Sequence, residues 1–186
     1  MGRVSQAQAE ENRRRVVDTA SRLFREQGTQ VSVADLMKAA GLTHGAFYKQ
    51  FASKEALVDE ATAHAFAELA QRYSAGLDRY DGQRATAQRA LIDAYLSVEH
   101  RDDPADGCPV AALATDIARE GGGREARRVY AEGVADFAEF LAGDDQDGIV
   151  RLCTLFGALV LSRATKDSPL SEEILAAAHT ALTEAD

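Results

Sequence analysis

The stretch SVADLMKAAGLTHGAFYKQF, residues 32–51, constrains the fold more than any other part of the chain. It reads as two short helices joined by a tight corner. Ser32 is of the N-cap type, and Asp35 follows three positions later, where a carboxylate faces the free backbone donors of a first turn. Val33, Leu36, Met37 and Ala40 recur at helical spacing and give the segment one apolar face. Gly41 can take the left-handed conformation that ends a helix. Leu42 plugs the corner, and Thr43 is expected to cap a second helix. That helix sends Ala46, Phe47 and Phe51 inward and leaves Thr43, His44, Gly45, Tyr48 and Lys49 outward. Two helices around a turn of this size form the helix-turn-helix arrangement, whose DNA-binding versions lay the second helix in the major groove. The outward set suits that task. Thr43 and His44 can hydrogen-bond to base edges, Gly45 permits close approach, and Tyr48 and Lys49 can reach phosphates. An ordinary helical hairpin has the same spacing, so the pattern by itself leaves both readings open.

The run from Val16 to Glu60, above all GLTHGAFYKQFASKEAL, closely resembles the N-terminal DNA-binding domain of the TetR family of bacterial transcriptional regulators. Leu23, Phe24, Gly28, Val33, Ala40, Gly41, Leu42, Gly45, Phe47, Tyr48, Phe51, Lys54, Glu55 and Leu57 stand in register with that family's pattern. The chain departs at Gln50, where His is usual, and at Met37, where Ala is usual, and neither change removes a turn residue or a charge. The likeness covers the first third of the chain; the rest matches only in length and helical character. The resemblance implies an all-α fold: an N-terminal three-helix domain with the helix-turn-helix, then a C-terminal helical domain for ligand binding and dimerisation. It assigns residues 1–52 to DNA binding, 53–80 to a linking helix and 81–186 to the effector and dimer domain. It makes Ser32, Thr43, His44, Gly45, Tyr48, Lys49 and Lys54 the DNA-binding set. The implied partners are double-stranded DNA, a small-molecule effector and a second copy of the chain. Most such proteins are repressors that a small molecule releases, and two-fold symmetry predicts a palindromic operator.

The bulk composition agrees with a helical protein. Pro is scarce and Ala abundant, aromatics are few, and β-branched runs are absent. No apolar stretch approaches the ~18 residues that span a bilayer, and no charged-then-apolar leader opens the chain. A cytoplasmic protein with no membrane partner is the expectation, and two Cys 45 positions apart fit a reducing compartment. The net charge of −9 argues against DNA binding until its distribution is examined. Residues 1–54 carry a net +4 and residues 55–186 a net −13, so a basic head sits on an acidic body.

Residues 1–10 read as a polar arm from which Arg3 could reach DNA. Glu11 to Gln27 is an amphipathic helix with Val16, Val17, Ala20, Leu23 and Phe24 as its stripe. Arg13, Arg14 and Arg15 near its start offer either a solvated face or phosphate contacts. Ser53 caps the next helix, and Lys54 in its first turn opposes the macrodipole, a penalty that an external phosphate would offset. Gln83 to His100 is read as one helix, Arg101 to Gly107 as a loop, and Cys108-Pro109 as the opening of another helix that stops at Gly121 to Gly123. Arg124 to Leu141 and Ile149 to Leu161 are further helices, with Gly143 to Gly148 a turn between them. Ser171 is expected to cap the last helix. Residues 149–161 are apolar nearly all round, which demands cover on several sides. Leu152, Leu155, Phe156, Leu159, Ile174, Leu175, Ala178 and Leu182 are therefore the expected dimer interface, in keeping with the four-helix pairing that the resemblance implies.

The four His and two Cys show no metal-ligand spacing, and no phosphate-binding loop or nucleophile elbow occurs. No metal, cofactor or catalytic residue is therefore predicted, and the protein is not read as an enzyme. Cys108 at a helix N-terminus is expected to have a lowered pKa, which would suit a sensor of reactive species. Tyr95, Cys108, Leu113, Tyr130, Phe137 and Phe156 are the candidate effector contacts. A helical enzyme or ligand carrier with a structural hairpin, and a module that binds only protein, are the competing classes.

Overall fold

A computed structural model describes residues 6–119, 123–143 and 147–184, and among them it is helical with no strand. The order is α1 (Gln6–Gln27), α2 (Val33–Ala39), α3 (His44–Phe47), α4 (Lys54–Arg79), α5 (Arg84–Tyr95), α6 (Val98–Asp102), α7 (Pro109–Ala118), α8 (Arg124–Leu141), α9 (Gly148–Ala164) and α10 (Leu170–Thr183). Helix α1 starts earlier than its sequence pattern suggests, so residues 6–10 are helical rather than a loose arm. Arg3, glycines 121 and 122, and residues 144–146 of the expected turn lie outside the described residues.

Two apolar cores divide the molecule. The first joins α1, α2, α3 and the start of α4 through Val16, Phe24, Leu36, Met37, Phe47 and Leu57, all nearly inaccessible to solvent. Each such side chain stabilises the fold by about 1.5–3 kcal/mol relative to exposure. Leu113 and Ile117 of α7 and Ala126 of α8 enter the same core, so the small N-terminal domain is not closed without them. The second core lies among α4, α5, α8, α9 and α10, with Phe66, Ile92, Phe137, Leu141, Leu155 and Leu159 at its centre. Helix α4, 26 residues long, contributes to both cores and would extend about 39 Å.

Three element predictions need correction. Residues 83–100 form two helices, not one: α5 stops at Tyr95, and Ser97 restarts the chain by accepting the His100 amide at 3.1 Å. The corner is fixed from the other side, where the His100 ring nitrogen Nδ1 donates to the Tyr95 carbonyl at 2.7 Å. Ser171 does not cap α10. It lies inside the first turn, donates to the Ser162 carbonyl at 2.7 Å and accepts from Arg101 at 2.9 Å, which ties α10 to α9 and α6. Thr43 precedes α3 with extended backbone, but its side chain makes no capping bond.

Candidate functional site

The corner at residues 32–51 is built from local bonds. Ser32 accepts the Asp35 amide at 3.1 Å and donates its hydroxyl to the Asp35 carboxylate at 2.6 Å, closing the first turn of α2. Gly41 sits at φ +68, where a side chain would be strained, and the Leu42 amide returns to the Met37 carbonyl at 2.8 Å. Helix α3 is short. It ends at Phe47, and Tyr48 and Lys49 occupy the turn that follows rather than the helix itself. That turn stays tight because the Gln50 and Phe51 amides both bond to the Phe47 carbonyl, at 2.8 and 3.0 Å.

Phe47 is wholly buried and stacks on Phe51 at 5.4 Å between ring centroids. With that anchor inward, Ser32, Thr43, His44, Gly45, Tyr48 and Lys49 are all exposed. Tyr48 is 66% exposed, and its ring meets Phe47 edge-on at 5.2 Å and His44 at 5.9 Å. The His44 and Tyr48 rings therefore form one small aromatic ridge beside the uncapped Thr43 hydroxyl. Lys38, which sequence reasoning passed over, is exposed in the last turn of α2. Lys54 is only partly exposed, and burial lowers its pKa while the neighbouring Asp116 carboxylate opposes that shift. Its charge is thus partly answered within the chain rather than waiting for a phosphate alone.

Arg13 belongs to neither reading given to it. Its guanidinium lies over the Phe51 ring at 4.3 Å, donates to the Gln50 carbonyl and pairs with Glu60. It fastens α1 to the end of the recognition corner and to α4. The signal was present in the sequence only as a basic residue one turn before the apolar stripe.

A second feature lies in the other domain. A cavity of about 500 Å³ opens between α4, α5 and α8, within the range usual for small-molecule sites. Leu69 and Tyr73 of α4, Leu91 and Tyr95 of α5, and Phe137 and Phe140 of α8 form its apolar wall. Its polar lining includes His100 and Cys108, and the charged side chains Arg72, Arg79, Glu99, Asp103 and Asp106 surround it. Of the expected effector contacts, Tyr95, Cys108 and Phe137 line this cavity. Leu113 does not, because α7 turns it into the N-terminal core. Tyr130 does not, because its hydroxyl is spent on the Val110 carbonyl at 2.7 Å and its ring on Phe66. Phe156 packs half-buried against the second core, away from the cavity.

The expected lowering of the Cys108 pKa is overturned. The residue does sit at the N-terminus of α7, but it is fully buried, and burial pushes the thiol up against the smaller pull of the Val110 and Ala111 amides. The free cysteine that faces solvent is Cys153 on α9.

The expected dimer face also needs revision. Leu152, Leu155, Leu159, Leu175 and Leu182 are buried in the chain's own second core, so they have no surface left for a partner. Phe156, Ile174 and Ala178 are half-buried at its edge. The exposed apolar residues of α9 are others: Ile149, Val150, Val160 and Leu161, with Cys153 between them. At Gly157, on the same side, an added Cβ would meet nothing within 4 Å.

One grouping could not be found from sequence spacing. Asp18 of α1 and His64 and Glu68 of α4 bring their ligand atoms within 4.8 Å of one another. Glu68 is already paired with the buried Arg25 at 3.0 Å, which uses its charge inside the fold.

With the corner in view, the comparisons with known proteins are direct. The family described as bacterial regulatory proteins, tetR family, matches residues 16–61, from the stripe of α1 to the second turn of α4. The N-terminal domain is that of the TetR family. Within it the chain is 41% identical over 61 residues to the HTH-type transcriptional regulator AcrR of Shigella flexneri, covering 32% of this chain and 28% of that one. It is 33% identical over 92 residues to the HTH-type transcriptional repressor KstR2 of Rhodococcus jostii, covering 47% and 43%. The matched segments thus span less than half the length of these relatives. The TetR-like architecture extends further than the sequence match. The reduced form of NemR from E. coli superposes with a TM-score of 0.78 at 19% identity, over 94% of this chain and 96% of that one. A TetR transcriptional regulator from Chloroflexus aurantiacus gives 0.71 at 22%, over 95% and 94%. At such identities the likeness is one of fold: a helix-turn-helix domain followed by a helical domain. The relatives are regulators, not enzymes.

Proposed function

We propose that the protein is a homodimeric, ligand-responsive DNA-binding regulator, acting as a repressor that a small molecule releases from a palindromic operator. One observation carries the reading: Thr43, His44, Gly45, Tyr48 and Lys49 stand exposed over a corner whose inward residues, Leu36, Met37 and Phe47, are wholly buried. A structural hairpin has no need to fix five outward groups on so tight an anchor. Thr43 and His44 take the base edges, Tyr48 and Lys49 the backbone, and Ser32 and Lys54 flank the groove. The basic head, net +4, supplies the counterion-releasing contacts, while the acidic body keeps the rest of the molecule off DNA.

Residues 1–52 form the DNA-binding part in this scheme, α4 links it to the rest, and residues 81–186 hold the effector and the partner. The cavity between α4, α5 and α8 receives the effector, because α4 is both its wall and the continuation of the DNA-binding domain. An effector acts there only through a difference in affinity between DNA-competent and incompetent states. The partner covers the exposed apolar stripe of α9 and the half-buried edge of α10 at Ile174 and Ala178.

Binding to a fluorescent DNA pool at several salt concentrations tests the reading. Affinity falls steeply with salt for the native protein. Lys49→Ala weakens binding to all sequences and reduces the slope by about one, whereas Thr43→Ala or His44→Ala changes which sequences are selected. A ligand carrier of net charge −9 shows no salt-dependent binding, and that result rejects the regulator.

A further inference from the structure

The cavity holds one polar group that the fold leaves unserved. Tyr95 is 6% exposed, and its hydroxyl, buried beside the Cys108 thiol, makes no hydrogen bond of normal geometry to any of the described residues. A buried hydroxyl left unpaired is destabilising, and a bound molecule that pairs it recovers that loss. Burial holds the Tyr95 pKa well above its usual value, so the group is neutral and has a proton to donate. The neighbouring His100 is the complement. Its Nδ1 must carry a proton, because the Tyr95 carbonyl 2.7 Å away can only accept. Burial lowers the His100 pKa, which favours the neutral ring, and its other nitrogen, with no hydrogen-bond partner among the described residues, is then an acceptor. The two rings lie 4.7 Å apart by centroid. One donor and one acceptor side by side match a hydroxyl, which can accept and donate at once. A carboxylate could accept from Tyr95 but has nothing to give His100, and the lining carboxylates Glu99, Asp103 and Asp106 outnumber the guanidinium groups of Arg72 and Arg79. The apolar lining is rich in rings, with Tyr73, Tyr80, Phe137 and Phe140 beside the aliphatic Leu69 and Leu91, and Tyr73 stacks on Phe140 at 4.8 Å and 20°.

We propose that this cavity selects an uncharged, flat-ringed molecule bearing a hydroxyl, of the phenol or aryl-alcohol class, whose oxygen accepts from Tyr95 and donates to His100. The ligand class deepens the effector-site reading above. Binding itself is measured on the full-length protein without DNA, so it stands or falls separately from regulation.

The probes are 2-naphthol, naphthalene and 2-naphthoate, which share a ring and differ in the polar group. The chain has no Trp, so the naphthyl emission is read without tryptophan background. 2-Naphthol binds saturably, and about tenfold more tightly than naphthalene or 2-naphthoate, the size of effect that one or two net hydrogen bonds give. Tyr95→Phe removes only the unpartnered hydroxyl, keeps the ring, and brings 2-naphthol down to the naphthalene level while leaving naphthalene unchanged. The three-ligand series on the native protein decides the matter even if the variant misfolds. The class is overturned if 2-naphthol does not saturate, if 2-naphthoate binds as well or better, or if folded Tyr95→Phe keeps full affinity. If 2-naphthol binds as stated yet leaves DNA affinity untouched, the ligand class stands and the effector-site reading fails.

Discussion

At the residue scale, the recognition corner depends on a side chain that does not touch DNA in the proposed arrangement. Arg13 covers the Phe51 ring and holds the Gln50 carbonyl and Glu60. Gln50 and Phe51 end the segment that displays Tyr48 and Lys49, so Arg13 sets where that display points. The guanidinium is partly exposed, which limits the ion pair to a small contribution, and the contact with the ring adds about 0.5–1 kcal/mol. Arg13→Ala should therefore lower stability by only about 1 kcal/mol in a denaturant titration, yet weaken DNA binding more than that loss explains. Arg13→Lys should recover stability better than DNA affinity, because an ammonium cannot both cover the ring and hold two acceptors. A DNA affinity that simply follows the folded fraction would remove the positioning role. Cys108 poses the opposite case. A helix N-terminus favours its thiolate, but burial outweighs the dipole, and the raised pKa predicts slow alkylation of the folded protein even at pH 8. Mass mapping after iodoacetamide treatment should find Cys108 unmodified until the protein unfolds.

At the scale of helices, what could be read from the chain was what local rules determine. The corner of α2 and α3 was legible because Ser32, Gly41 and the Leu36, Met37, Phe47 stripe are each demanded within a few residues of one another. The bounds of α8 were legible for the same reason, as a continuous stripe ends at Leu141. The break between α5 and α6 was hidden. It rests on Ser97 and on the His100 ring turning back to the Tyr95 carbonyl, neither of which disturbs the apolar spacing. The cavity was half legible: Tyr95, Cys108 and Phe137 were found, but Tyr73 and His100 reach it only through the packing of α4 and α6. Helix α9 shows the limit most clearly. A helix apolar all round announces that it is covered without saying which side faces its own core. The structure divides the sides, leaving Ile149 63%, Val150 61% and Leu161 56% exposed. If a second copy covers that stripe, Val150→Glu with Leu161→Glu should give a monomer in sedimentation velocity, and Cys153 should then react faster with iodoacetamide. The pair Leu155→Glu and Leu159→Glu, by contrast, should unfold the second core, because both are wholly buried. Packing between α4 and α8 makes a further demand: a Cβ at Gly133 would enter the Phe66 ring, so Gly133→Ala should cost about 1–3 kcal/mol in thermal unfolding.

At the scale of the whole molecule, the loop before α7 joins the cavity to the DNA-binding domain. Asp106 borders the cavity, its carbonyl accepts from Arg72 of α4 at 2.6 Å, and its carboxylate pairs with Arg22 of α1 at 2.6 Å. One residue on, the Gly107 carbonyl accepts from the buried Arg25 of α1 at 3.4 Å. The same α1 carries Arg13 to the recognition corner. A ligand that shifts Asp106 therefore pulls on a helix whose other end positions Lys49 and Tyr48. Asp116 of α7 gives a parallel tie, accepting the Thr29 amide at 2.5 Å, so the two domains are linked through hydrogen bonds as well as through Leu113 and Ile117 in the shared core. Coupling along this path can be measured at the Arg22 pair. This pair is exposed, so Arg22→Ala should change stability by less than about 1 kcal/mol and leave the DNA affinity of the ligand-free protein near native. DNA affinity is then compared with and without saturating 2-naphthol. For the native protein the ratio should lie in the range of about 5–150-fold usual for allosteric coupling, and Arg22→Ala should reduce it several-fold. Linkage supplies an internal control, since DNA must weaken 2-naphthol binding by the same factor in each protein. An unchanged ratio in Arg22→Ala would transfer the coupling from the Asp106 loop to the α7 tie, where Asp116→Asn is the corresponding substitution.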